Sequence, residues 1–403
     1  MLTPYDEFPV HPTPYTFSYI PSTDYNWDEG YWFGVFNPDE KVFLGIYLRI
    51  NPNSDMIGGC TLLNVAGVQT TLRFSRCWRR NFNLDVGPFS VRFEEPLRRI
   101  RLTLGDNESG IAFDILWEGT SPAFLEDHHI AVRRGRRTTD QSRYSQPGKA
   151  SGWIGLRKQR WDVKPESWTG SRDHSWGLYA ERPPLSPVDS WLPPRSKDDG
   201  PQRAMRFWTC FRTEPYSGFF HVHETADGVQ CKMNDVFGTP FGGHICRGWG
   251  EQSIELVSGT HDMVFQPGTR ILEKVTFTMQ DSTGGTWRQL FEVASPPWVV
   301  QTMGAMPGSW KDGGTFHTYH GSEELALEWD EFDFSKQPCA YTPYKVRGEA
   351  ATDTFNTGST GGLVHGPEYL ARVTTHAPDG SVSTGASQVE LFIAGRYSPY
   401  GFE

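Results

Sequence analysis

The chain has 403 residues, 37% of them hydrophobic and 21% charged, the make-up of a folded protein and not of a disordered one. That length exceeds what one hydrophobic core usually serves, so two domains are expected. A formal net charge of -10 argues against nucleic acid as the main partner, because duplex binding rests on clustered Lys and Arg, and no run approaches the roughly 18 apolar residues of a membrane helix.

In chain order, the opening Met1-Leu-Thr-Pro-Tyr-Asp-Glu shows neither the basic nor the apolar region of a secretory signal. Strand signals follow at 42–50, 67–74, 99–104, 110–117 and 274–279, several of them alternating apolar and polar residues. Asp106-Asn107, Asp227-Gly228, Thr283-Gly284-Gly285 and Asp379-Gly380 read as hairpin turns, and Gly361-Gly362 as a turn rather than a phosphate cradle. Helical spacing is scarce, so the expectation is an all-β fold of antiparallel barrels or sandwiches. The short basic run 133–137 reads as a solvated loop, with an anionic group on a ligand as the alternative.

The clearest compositional break is the Pro-dense stretch 182–202. Proline removes ladder donors, so this is irregular chain. It divides the chain into an N-terminal domain over 1–180, a linker or crossing loop over 181–202, and a C-terminal domain over 203–403. Six cysteines at 60, 77, 210, 231, 246 and 339 form no CxxC pair, and a reduced cytoplasmic protein is expected. Aromatic content is high at 14%, and part of that surface is expected to line a cavity for a hydrophobic small molecule.

The most informative segment is 167–177, which packs Arg172, Asp173 and His174 between Trp168 and Trp176. Buried charges are costly unless paired, so this reads as a polar knot walled by aromatics. One reading is structural: Asp173 pairs with Arg172, and His174 caps a carbonyl. The other is chemical: a desolvated Asp173, oriented by His174, acts as a general acid, and the indoles of Trp168 and Trp176 face a cation formed by olefin protonation. If Arg172 pairs directly with Asp173, His174 becomes the better acid.

Tyr144-Ser-Gln146-Pro-Gly148, Gly152-Trp-Ile154, residues 170–177 and Asp114-Ile-Leu-Trp117-Glu-Gly119 resemble the bacterial relatives of carotenoid 1,2-hydratase (hydroxyneurosporene synthase). The resemblance implies two lipocalin-like β-domains side by side, with fungal decalin-forming Diels-Alderases as distant cousins. It also implies cofactor-independent hydration, cyclisation or double-bond shift on an unsaturated, terpenoid-like substrate.

Other candidates lie further on. His221 and His223 share one face of a strand over 219–225, with Glu224 on the other face. Such a pair lacks the third ligand of a metal site, so no metal is expected, and the two rings are expected to face a polar barrel interior. His365 with Glu368, and Tyr319 with His320, sit in glycine-bounded loops of the kind that carry function at barrel mouths. No Walker loop, dinucleotide fingerprint, His-Glu-x-x-His or Gly-x-Ser-x-Gly is present, so no cofactor is expected. Three functions fit these residues: an acid-assisted lyase or isomerase, a pericyclase working by proximity, and a non-catalytic carrier.

Overall fold

The computed structural model describes residue 7 and residues 24–80, 83–133, 136–179, 201, 203–233, 239–299, 303–305, 309–335, 367–393 and 395–403. The first half of the chain forms β1 (Trp27–Asn37), β2 (Val42–Asn51), β3 (Met56–Val65), β4 (Val68–Cys77), β5 (Phe89–Glu95), β6 (Arg99–Leu104), β7 (Ile111–Gly119), β8 (Phe124–Arg133), β9 (Arg136–Leu156), β10 (Gln159–Val163) and β11 (Thr169–Tyr179). The second half forms β12 (Met205–Thr213), β13 (Ser217–Glu224), β14 (Phe241–Cys246), β15 (Ile254–Phe265), β16 (Leu272–Asp281), β17 (Thr286–Val293), β18 (Trp298–Val299), β19 (Ala326–Asp333), β20 (Pro367–His376) and β21 (Val382–Ile393). No described helix is long and apolar enough to cross a membrane.

The fold is all-β, as the turn-punctuated alternation implies. One sheet runs β19-β4-β3-β2-β1-β11-β9-β7-β6-β5, with β8 and β10 added on β9. The other runs β17-β16-β15-β14-β13-β12-β21-β20 and closes by pairing β17 with β20, an eight-stranded antiparallel barrel with no free edge in that ring. Strand β19 falls within 203–403 yet pairs with β4, from Ala326↔Ser75 to Asp333↔Val68, so one strand from beyond the expected linker completes the first sheet. It covers the β4 edge, and Arg73 of β4 is held there by Glu328 at 2.7 Å and by Asp330. The linker itself, 181–202, lies outside the described residues except for residue 201.

Burial patterns show where the two sheets meet. Strand β7 alternates, with Ile111, Phe113, Ile115 and Trp117 buried in the first core and the residues between them half-buried. Strands β1 to β3 are buried on both faces, because their second face lies against the barrel. There Trp32, Phe36, Phe43, Cys60 and Leu62 pack on Trp298, Met303, Leu370 and Ala386. Gly34 permits that approach: a Cβ on it would lie 2.3 Å from Ser171 Oγ and 2.9 Å from Gln388 Oε1. The barrel has its own core, built on Phe207, Phe220, Val222, Phe277 and Phe291.

Candidate active site

Strand β11 carries the polar knot, and the two-residue period of a strand splits it. Arg172 and His174 point into the first sheet's interior. Arg172 donates from Nη1 to Glu7 Oε1 at 2.5 Å and from Nε to Gln146 Oε1 at 2.8 Å, and its guanidinium lies over the rings of Trp117 and Tyr144. His174 donates from Nε2 to Glu29 at 2.8 Å, lies 3.2 Å from the Tyr144 hydroxyl and stacks on Tyr31 at 4.1 Å. Trp176 packs against His174, and Trp168 belongs to the first core.

Asp173 faces the other way, into the junction between the sheets. The expected pairing of Asp173 with Arg172, and its orientation by His174, are therefore not formed, because sequence neighbours on a strand leave opposite faces. Nor do Trp168 and Trp176 flank the carboxyl. Trp32, its register partner on β1, stands beside it instead.

Around Asp173 the junction is densely charged. Arg143 of β9 donates to Glu126 of β8 at 2.9 Å, Ser145 also bonds Glu126, and Arg206 of β12 pairs with Glu390 of β21. Glu390 lies directly across the ladder from Glu368 of β20, which accepts from Gln388 Nε2 at 2.5 Å. Gln388 Oε1 in turn accepts from Trp32 Nε1 at 3.1 Å and Ser171 Oγ at 2.5 Å, which ties the sheets together. Asp173, Glu126, Glu368 and Glu390 thus share the junction with the guanidiniums of Arg143 and Arg206, while Arg49, paired with Asp28, also acts on Asp173, so carboxyls outnumber guanidiniums.

That imbalance favours protonation. Burial pushes Asp173 up to about 6, the charges of Glu126 and Glu390 adding to the rise while Arg143 and Arg206 oppose it. Burial also raises Glu368 well above the carboxylate range, with Glu390 and Asp173 adding to the rise. Unlike Glu368, Asp173 is only half-buried, and among the described residues its carboxyl accepts no hydrogen bond. Tyr47, also half-buried, brings its ring to 6.4 Å from Trp32 and 5.4 Å from Phe316, and its hydroxyl feels the charge of Asp173.

His221 and His223 share a face, as their spacing implies, but it is the outside of the barrel and not a polar interior. The interior is filled by Phe220, Val222 and their aromatic neighbours. His221 donates from Nε2 to the Thr239 carbonyl at 2.9 Å and lies 3.8 Å from Glu126, and burial pushes it down to about 4. His223, opposite Arg206 on β12, is buried with neither ring nitrogen hydrogen-bonded among the described residues, and burial holds it neutral. Glu224 leaves the opposite face and accepts from Tyr397 at 2.6 Å and His261 at 3.0 Å. Among the described residues no group of three or more His, Cys, Asp and Glu is placed to hold a metal ion.

Of the loop candidates among the described residues, Glu368 reaches the junction. His365 lies outside the described residues. His320 is committed to Asp312 at 2.5 Å and the Thr315 carbonyl at 2.6 Å and stacks on Trp310, while Tyr319 is 58% exposed. Neither is among the groups that shift Asp173.

Sequence reasoning missed Trp32, Tyr47, Glu126, Arg143, Arg206 and Glu390. A usable signal existed for two of them: Arg206 and Glu390 are charges set among apolar residues of β12 and of the end of β21, and a charge in such a strand needs a partner.

A family's sequence profile matches residues 2–337, a span that closes just beyond β19 and so takes in the whole first sheet. The chain belongs to this family of unknown function (DUF8625). No curated protein matches it. Among solved structures, kievitone hydratase from Nectria haematococca superposes at 10% identity over 95% of this chain and 94% of that one, with a TM-score of 0.41. CghA does so at 9% identity over 92% and 89%, with a TM-score of 0.48, and CghA with Sch210972 at 8% over the same shares, with 0.47. Likeness of that degree says nothing of chemistry, which rests on the junction itself.

Proposed function

We propose that the chain is a cofactor-independent enzyme of the lyase, isomerase or cyclase type, in which Asp173 protonates an apolar unsaturated substrate, terpenoid in class, held at the junction of the two sheets. One observation carries this: Asp173 combines a pKa raised to about 6 with incomplete burial of the residue and a carboxyl that accepts no hydrogen bond among the described residues. A carboxyl used to hold the sheets together would be consumed by partners, as Glu126 is. The likeness of 170–177 to the carotenoid hydratase motif supports the same chemistry.

In the step itself, the carboxyl proton forms a new C–H bond with one alkene carbon, and the other carbon becomes cationic. The carboxylate left behind is stabilised by Arg143 and Arg206. The cation faces the rings of Trp32 and Tyr47, whose π faces favour positive charge. Water then adds and sheds a proton, a neighbouring C–H loses its proton, or an internal alkene attacks and the new cation it forms loses a C–H proton, and in each case that proton returns to Asp173, so the acid is regenerated. In this reading His223, held neutral by burial and with no ring hydrogen bond among the described residues, hydrogen-bonds a polar end of the same molecule.

The test needs the substrate, which mass spectrometry of the ligand co-purifying with the full chain identifies. Asp173→Asn is expected to abolish turnover while ligand affinity stays within about threefold, since an amide keeps the shape but has no acidic proton. Turnover surviving in Asp173→Asn overturns the acid role and leaves a pericyclase working by proximity. Stoichiometric ligand that is never converted by the wild type overturns the enzyme and leaves a carrier.

A further inference from the structure

Glu7 is wholly buried inside the first sheet, 165 positions along the chain from the arginine it meets. Its carboxylate accepts from Arg172 Nη1 at 2.5 Å, from the Tyr144 hydroxyl at 2.8 Å and from the Leu97 amide, and its carbonyl accepts from the Tyr31 hydroxyl at 3.0 Å. Leu97 presents that amide from a left-handed backbone, φ 63°, a conformation a leucine rarely adopts. The donors come from β1, β9, β11 and the turn after β5, so the fold and not the local sequence assembles them.

This arrangement has the chemistry of a carboxylate receptor, and Glu7 does not saturate it. Arg172 Nη2 is buried with no hydrogen-bond partner among the described residues, as is Trp117 Nε1 next to it. A guanidinium offers two parallel N–H groups to a carboxylate, and the bidentate pair is the stronger geometry. Glu7 takes only one of the two. A carboxylate free of the backbone is able to turn and take both, and the aromatic walls of Trp117 and Tyr144 suit a short apolar tail.

We propose that Arg172, Tyr144 and the Leu97 amide form a binding site for the carboxylate of a small apolar acid, a site that Glu7 fills in cis. It lies on the opposite face of β11 from Asp173 and does not depend on the function proposed above.

The experiment uses the full chain with Glu7→Ala and sodium propionate as the probe, against sodium chloride at equal ionic strength. Propionate is expected to raise the Tm of Glu7→Ala by roughly 2–4 °C with saturation, to do less for the wild type, and to bind about fivefold more weakly when Tyr144→Phe is added. Equal effects of propionate and chloride on Glu7→Ala overturn the proposal. Should Glu7→Ala not fold in chloride, recovery of its folded far-UV spectrum in propionate, lost when Tyr144→Phe is added, supports the site, and failure to recover it overturns the proposal.

Discussion

Arg172 and Asp173 are chain neighbours on one strand, and the two faces of β11 treat them oppositely. Inside the first sheet, Arg172 has Glu7 and Gln146, and His174 has Glu29 with Tyr144 alongside, so buried charge there is matched by buried charge. Across the strand, Asp173 meets a surplus of carboxyls, keeps part of its surface open and shifts its pKa instead of finding a partner. A strand can thus hold a buried ion pair and a carboxyl of raised pKa one residue apart, because alternation puts them on opposite faces.

Breaking the inner face is expected to have the largest effect on stability. Arg172→Ala leaves the Glu7 carboxylate buried without its counter-ion and is expected to cost about 3–5 kcal/mol by urea denaturation. A cost under about 1 kcal/mol would show that the interior pair is not what holds the first sheet, and the contrast between the faces would fall. Gly34→Ala acts at the seam instead. Its new Cβ collides with Ser171 Oγ and Gln388 Oε1, so the sheets must part slightly, at about 1–3 kcal/mol.

Asp173 sharpens the comparison through pH. Its folded value of about 6 lies above the ordinary 3.8, so the folded chain binds this proton more tightly than the unfolded chain does. The stability it contributes is therefore full below the lower value and is lost as pH rises through the higher one. Asp173→Asn should remove that slope: the urea midpoint of the variant, compared with the wild type between these limits, should gain relative to it as pH increases. Turnover, where the substrate is in hand, should fall in the wild type as pH rises past about 6. A parallel pH dependence of the two proteins would mean that Asp173 is not desolvated in the folded state.

How much of this could be read from the sequence follows from the range of the forces involved. Alternation in stretches such as 110–117 and Asp-Gly turns are local, and the all-β fold follows from them. The motif at 167–177 announced itself, since two indoles around three polar groups have no ordinary use in a strand. Which face each member would take was not legible in its composition, although the two-residue period already set Asp173 apart from Arg172 and His174. Partners brought by topology were out of reach: Glu7 for Arg172, Glu390 for Arg206, and β19 for β4 meet only after the chain has closed both sheets. The shared face of His221 and His223 was legible, but not which side of the barrel it lay on, because that depends on which residues the core admits.

The smallest expected effect comes from Trp32→Phe, and it tests the outer face most finely. The phenyl ring keeps most of the stacking that Trp32 makes with Trp298, whose centroid lies 5.4 Å away, but loses the N–H donated to Gln388. Gln388 Oε1 is not orphaned by that loss, since Ser171 Oγ still donates to it at 2.5 Å, so the stability cost should be only about 1 kcal/mol. Phenyl is also a poorer host for positive charge than indole, and a difference of about 0.5–1 kcal/mol in the cationic transition state slows turnover roughly two- to fivefold. Stability and rate should therefore both move by small and comparable amounts. A stability loss approaching that of Arg172→Ala would mean that the junction is bound as tightly as the interior, leaving Asp173 no more room to act than Arg172 has.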